Sequence, residues 1–162
     1  MRTMLFPYGA PEWRLNDLAM AELSRFYGLP VFGTGGATDS KLVDAQAGAE
    51  YASSLLVAAM AGTNLIHDVG YIESGITASY EMLVSMNEVA GLVKRFMRGV
   101  EVSTETIALD VISQVGPGGQ FLDHPHTYQH FRGNWAPKLF DRAAREDWEL
   151  EGGLTTADKA TA

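Results

Sequence analysis

The stretch TNLIHDVGYIESGITASYE, residues 63–81, decides the fold. Residues 63–66 are apolar and β-prone, as expected of a strand buried on both faces. His67 and Asp68 follow at once, then Gly70, Glu73 and Gly75, and then a polar lead into a segment with apolar residues at helical spacing. A short strand, a glycine-hinged loop and a helix in that order make half of a βαβ unit. In parallel α/β folds the chemistry lies where strands end and loops begin. An imidazole beside a carboxylate at that point is therefore read as functional, able to orient a substrate or to act as acid or base. The competing reading is a histidine and an aspartate that only satisfy the loop backbone.

Working outward, the same unit recurs. Residues 29–32 form a second strand, GTGGATDSK (33–41) is a loop, and residues 42–61 form a helix that Asp39 or Ser40 caps and Gly62 ends. Before it, residues 4–6 read as a strand broken by Pro7 and Gly9, and residues 11–27 as a helix with Pro in its first turn and Gly28 as its stop. Leu15, Leu18, Ala19, Leu23 and Phe26 share one face of that helix. Downstream, residues 78–98 are helical, with a core stripe of Met82, Met86, Val89, Val93 and Phe96. Ser103 caps a helix to about 114, short helices follow near 127–131 and 138–149, and residues 152–162 are a frayed polar tail. Residues 1–151 are taken as the folded part.

Three strands alternating with helices predict an α/β fold with about three parallel strands, flanking helices and a helical C-terminal extension. A small open sheet and the back part of a barrel both fit. In either, PYGAPE (7–12), GTGGATDS (33–40) and HDVGYIESG (67–75) meet at one rim.

The chain has 162 residues, is 46% hydrophobic and carries a formal net charge of -8. That is one ordinary domain by size, and short of the roughly 250 residues of a complete (β/α)8 barrel. The acidic balance argues against nucleic acid and anionic membranes. There are no cysteines, so disulfides and thiolate metal sites are excluded. With no signal-peptide pattern and no long apolar run, a cytoplasmic location is expected.

At the predicted rim, Asp68 or Glu73 with Tyr71 and Tyr8 would suit a methylated ammonium group by charge and cation–π attraction. The glycines of the 33–41 loop match neither nucleotide-binding pattern, so close backbone approach is preferred to phosphate binding. His124, His126 and His130 suggest a metal, but no acidic or thiol partner sits at a recognised spacing, so no metal ligand is assigned and packing or partner contact is the preferred reading. A small metal-dependent α/β enzyme is the alternative that this cluster leaves.

YGAPE (8–12), GLPVFGTGGATDSKLVDAQAGAEYA (28–52), AGTNLIHDVGYIESGITASYE (61–81), RFMRGVEV (95–102), LDVISQVGPGGQFL (109–122) and HTYQHFR (126–132), in that order, resemble the trimethylamine:corrinoid methyltransferase family. The resemblance implies a (β/α)8 TIM barrel, of which this chain would be the C-terminal portion. It implies methyl transfer from trimethylamine or a quaternary amine such as glycine betaine to the cobalt(I) of a corrinoid carried by a separate corrinoid-binding protein. Trimethylamine members use pyrrolysine, which this sequence does not contain. The chain is expected to be the downstream piece of a longer reading frame, needing the missing N-terminal half or a second copy of itself. A non-catalytic, barrel-completing role is the other expectation.

Position and chemistry assign His67, Asp68 and Glu73 to catalysis or orientation of the amine. Tyr8, Glu12, Asp39 and Tyr71 are assigned to the substrate cation, and Gly118, Gly119 and His126 to contact with the corrinoid protein.

Overall fold

The computed structural model describes residues 4–162. It is mixed α/β and mostly helical, and divides into two compact units. One comprises the chain up to Met97 together with Pro137–Ala162; the other is Arg98–Ala136.

In the first unit, helix α1 (Pro11–Phe26) begins with Pro at its first turn and ends at Gly28, which takes φ 66°. Strand β1 (Phe32–Thr34) follows, then helix α2 (Ala45–Met60), then strand β2 (Leu65–His67). β1 and β2 pair in parallel, with Phe32 opposite Leu65, Gly33 opposite Ile66 and Thr34 opposite His67. The register is what aligns the two strand ends: Gly35 N–H donates to the His67 carbonyl just past it, at 3.1 Å. Beyond β2, a two-stranded antiparallel hairpin, β3 (Tyr71–Ile72) and β4 (Thr77–Ala78), leads into helix α3 (Tyr80–Met97).

The core lies between α2, β3 and α3. Tyr51, Leu55 and Ala47 pack with Ile72, Met82, Met86, Val89 and Val93. Phe96, expected to extend that stripe, is exposed. Glu88 is buried on α3, and its carboxylate accepts from Lys138 N–H at 2.6 Å, which ties the returning chain to the helix. Residues 138–144 are irregular, and α7 is Arg145–Leu150 rather than a helix from 138. Where a frayed tail was expected, a further helix, α8 (Thr156–Thr161), starts from a Thr155–Asp158 capping box. It is held by Lys159 to Asp141 at 2.7 Å.

In the second unit, Ser103 caps α4 (Thr104–Ile107) as expected. Ala108 then adopts φ 51° and splits the expected single helix, so that α5 is Leu109–Val115. α6 (Pro125–His130) follows.

Two further expectations are corrected. Residues 4–6 form no strand: Met4 sits at φ 56°, and Phe6 turns its ring edge-on to Tyr8 and Trp13 with centroids at 4.9 and 4.5 Å. Two parallel strands therefore stand where three were expected. The cap of α2 is Asp44, which accepts from Ala47 N–H, because the backbone at 38–40 is engaged with residues 71–74 instead. The apolar stripe of α1 is uncovered, with Leu15 at 65% and Phe26 at 81% exposure, while Arg14 and Ala21 are the buried residues of this helix. Among the described residues, no helix is long and apolar enough to cross a membrane.

Candidate functional site

Three chain segments meet past the ends of β1 and β2, and Asp39 joins them. Its Oδ2 accepts from Gly9 N–H at 3.1 Å, and its Oδ1 accepts from the Ser74 hydroxyl at 2.8 Å. The backbone adds three further links between the loops. Thr38 N–H donates to Tyr71 O at 3.3 Å, Glu73 N–H to Ser40 O at 2.7 Å, and Ser74 N–H to Thr38 O at 3.0 Å. The loops expected to share a rim do so here, through residues far apart in sequence.

His67 and Asp68 form a contact pair, Nδ1 to Oδ1 at 2.7 Å. A carboxylate only accepts, so Nδ1 carries the proton in this contact and Nε2 of a neutral ring is left as an acceptor. The imidazole lies flat on Phe32, with centroids 4.2 Å apart and planes 10° apart. One third of the His67 side chain is open to solvent (33%). Asp68, Glu73 and Ser74 adopt φ of 73°, 56° and 56°. Such backbone costs on the order of 1–2 kcal/mol per residue and persists where the surroundings over-determine it. The strain in this unit is thus concentrated in the loop that carries the predicted acids.

Tyr8 belongs to an aromatic group with Phe6 and Trp13, and its ring also lies beside Gly75 of the third loop. Glu73 accepts from the Thr77 hydroxyl at 2.9 Å, which turns its carboxylate toward the hairpin. Tyr71 lines a cavity of about 280 Å³ with Val69, Tyr80 and Leu83. Glu12 is in the exposed first turn of α1, while Trp13 and Arg14 take the inward positions. In the Arg98–Ala136 unit, His126 contacts the Glu105 carbonyl at 2.9 Å and His130 the Glu105 carboxylate at 3.2 Å. His124 caps α6 by accepting from His126 N–H. Gly118 and Gly119 are exposed. A side chain at Gly119 would fall 2.3 Å from the Val115 carbonyl, so glycine is required there.

Several residues of the site lie outside those assigned from sequence. Arg14 donates to the carbonyls of Thr34 at 2.8 Å and Tyr8 at 2.9 Å, and pairs with Asp17 at 3.1 Å. Burial lowers its pKa, while the carboxylates of Asp17, Asp68 and Asp39 act to raise it. Trp13 Nε1–H donates to the Thr34 hydroxyl at 2.8 Å, which in turn donates to Asp17 at 2.9 Å. Glu50 accepts from the Thr38 hydroxyl at 2.6 Å and from Asp39 N–H at 2.8 Å. Tyr51 is fully buried, and its hydroxyl accepts from Gly70 N–H. Burial raises the pKa of this phenol, so it stays neutral. The available signals were the i, i+3 spacing of Arg14 and Asp17, and Glu50 as the one charged residue of α2.

The buried guanidinium of Arg14 is paired with Asp17 and feels the charges of Asp68 and Asp39, and Glu50 is bonded into the loop that carries Asp39. Excess negative charge beside aromatic rings attracts and orients a cation.

The fold is that of a mixed α/β protein whose two parallel strands end beside the loops that Asp39 joins. The chain belongs to the trimethylamine methyltransferase (MTTB) family, whose model matches residues 1–162. It is 39% identical over 160 residues to a trimethylamine methyltransferase MttB of Desulfitobacterium hafniense (strain DSM 10664 / DCB-2), covering 99% of this chain and 32% of that protein. It is 40% identical over 164 residues to a glycine betaine methyltransferase of Desulfitobacterium hafniense (strain Y51), covering 100% of this chain and 34% of that protein. With an MttB of Methanosarcina thermophila it shares 41% identity over 151 residues, 93% of this chain and 31% of that protein. The chain spans about a third of the length of these relatives.

Proposed function

We propose that this chain is the C-terminal part of a (β/α)8-barrel methyltransferase that takes a methyl group from trimethylamine or a quaternary amine such as glycine betaine. The acceptor is the corrinoid of a cytoplasmic partner protein. Residues 1–151 contribute the barrel part, and 152–162 are peripheral to it. The observation that carries this reading is the Asp39 clasp, which joins the loops that follow β1 and β2 to the segment before α1, beside the rings of Tyr8, Phe6 and Trp13.

The roles follow from the chemistry on that rim. Asp68 and Asp39 hold the substrate cation by charge, and Tyr8, with Phe6 and Trp13, offers ring faces to its methyl groups. Tyr71, Glu12 and Glu73 complete the cation's surroundings once the missing strands stand beside this rim. His67, fixed by Asp68 and stacked on Phe32, presents a flat, partly open surface that fits the face of a macrocycle. When bound, the corrinoid supplies a cobalt(I) nucleophile for the N-methyl carbon. This chain's own residues contribute position and a field that favours the cation, rather than covalent chemistry. Gly118, Gly119 and His126 contact the corrinoid protein.

Completion of the barrel by the upstream two-thirds of such a protein, or by a second copy, is supported by the uncovered apolar surface. Phe32 and Leu65 are opposite each other in the sheet and 62% and 58% exposed, although parallel strands are ordinarily covered on both faces.

The test is to co-express the chain with the upstream portion of the glycine betaine relative and add cob(I)alamin with either amine. Methylcobalamin formation, followed by absorbance, is the expected result, with loss of about tenfold or more for Asp68→Asn. A correctly assembled complex that methylates with neither amine refutes the assignment. Complex formation without turnover would favour the barrel-completing role alone.

A further inference from the structure

A cavity of about 480 Å³ lies between α2, α3 and α8. Its walls are Met82, Met86, Val89 and Leu92 of α3 and Phe140, and α8 closes one side through Thr155, Thr156 and Ala157. The volume is within the usual range for small-molecule sites, which are apolar with a few convergent polar groups.

Two independent features set it apart from a packing gap. The wall from α2 is cut back to Ala45, Gly48 and Ala52, which share one helix face. Among the described residues, nothing apart from the helix's own neighbouring backbone lies within 4 Å of where a Gly48 side chain would begin, so packing does not require glycine there. Glycine nevertheless costs the helix about 1 kcal/mol relative to alanine. On the α3 wall, Ser85 is 3% exposed and its hydroxyl has no hydrogen-bond partner among the described residues. A buried hydroxyl left unpaired is unfavourable, and a ligand group that pairs with it removes that cost. Asp44 also lines the cavity, and its negative charge disfavours anions.

We propose that this cavity binds a neutral, ring-sized apolar molecule carrying one hydroxyl or carbonyl group, which hydrogen-bonds to Ser85. The site lies apart from the strand-end rim, so its failure would leave the methyltransferase reading intact.

The experiment uses the whole 162-residue chain, labelled with 13C at the methionine methyl groups. It is titrated with p-cresol and with toluene, which lacks the hydroxyl. Saturable shifts of Met82 and Met86 are expected with both. Ser85→Ala should weaken p-cresol about fivefold, the worth of one ordinary hydrogen bond, and leave toluene within about twofold. Gly48→Leu should abolish both titrations while the helical circular dichroism is retained. Gly48→Ala, which favours the helix, should weaken both and serves if the leucine variant does not fold. Absence of saturable shifts at Met82 and Met86 overturns the proposal, as does equal weakening of both probes by Ser85→Ala.

Discussion

Replacing Tyr51 with Phe tests the anchor that holds the third loop to the core. The ring is fully buried between α2 and the loops, and Phe preserves it. Only the hydroxyl is lost, and with it the acceptor for the buried Gly70 N–H. An unpaired buried N–H costs about 1–3 kcal/mol, set against a smaller gain from no longer burying a phenol. The expected net loss is about 1.5 kcal/mol, well below the roughly 3–5 kcal/mol of deleting a buried ring. Urea unfolding should show a lower midpoint at an unchanged slope. The Gly70 amide should lose more hydrogen-exchange protection than the amides of α2. The pH dependence gives a second reading. The folded pKa is raised above the ordinary value of 10.0 by burial, so the stability is fully present below that value and is lost as pH rises through the folded pKa. Tyr51→Phe should flatten that alkaline decline. A change below about 0.5 kcal/mol together with unchanged Gly70 protection would refute the role given to the hydroxyl.

Gly36→Ala should be more damaging, at about 2–5 kcal/mol by thermal or urea unfolding, because the residue sits at φ 96° and its new methyl would begin 2.6 Å from Tyr51 Cε1. Asp39→Asn should cost about 1.5 kcal/mol and accelerate exchange at the Gly9 amide, whereas Glu12→Gln on the exposed turn of α1 should stay within about 0.5 kcal/mol. At the C-terminus, hydrogen bonding to Lys159 and to Thr155 holds the carboxyls of Asp141 and Asp158 below the ordinary 3.8. Their contribution is present above that value and is lost as pH falls through the folded pKa values. The resonances of α8 should therefore move toward random coil below roughly pH 4, ahead of those of α2.

Most of the local structure was legible in the residues themselves. Pro11 and Gly28 bracket α1, Gly62 closes α2, and the Met82, Met86, Val89, Val93 spacing marks the buried face of α3. His67 and Asp68 could be located at a strand end because an apolar β-prone run stops there. These signals act within a turn or two of chain, where propensity and periodicity apply. Phe96 is exposed although it continues the spacing of the α3 core stripe, because periodicity tells which residues share a face and not whether anything covers it.

What depended on tertiary structure was every partnership across long sequence separation. Asp39 reads locally as a helix cap. It becomes a clasp between Gly9 and Ser74 because the parallel register of β1 and β2 brings the loops after them to one level and Arg14 ties the Tyr8 segment to Thr34, while Asp44 takes the cap instead. Arg14, buried against Thr34 and Tyr8, reads locally as a solvated cation. A charged side chain's role is set by which carbonyls and carboxylates surround it after folding, and that is a property of the register and packing rather than of its neighbours in sequence.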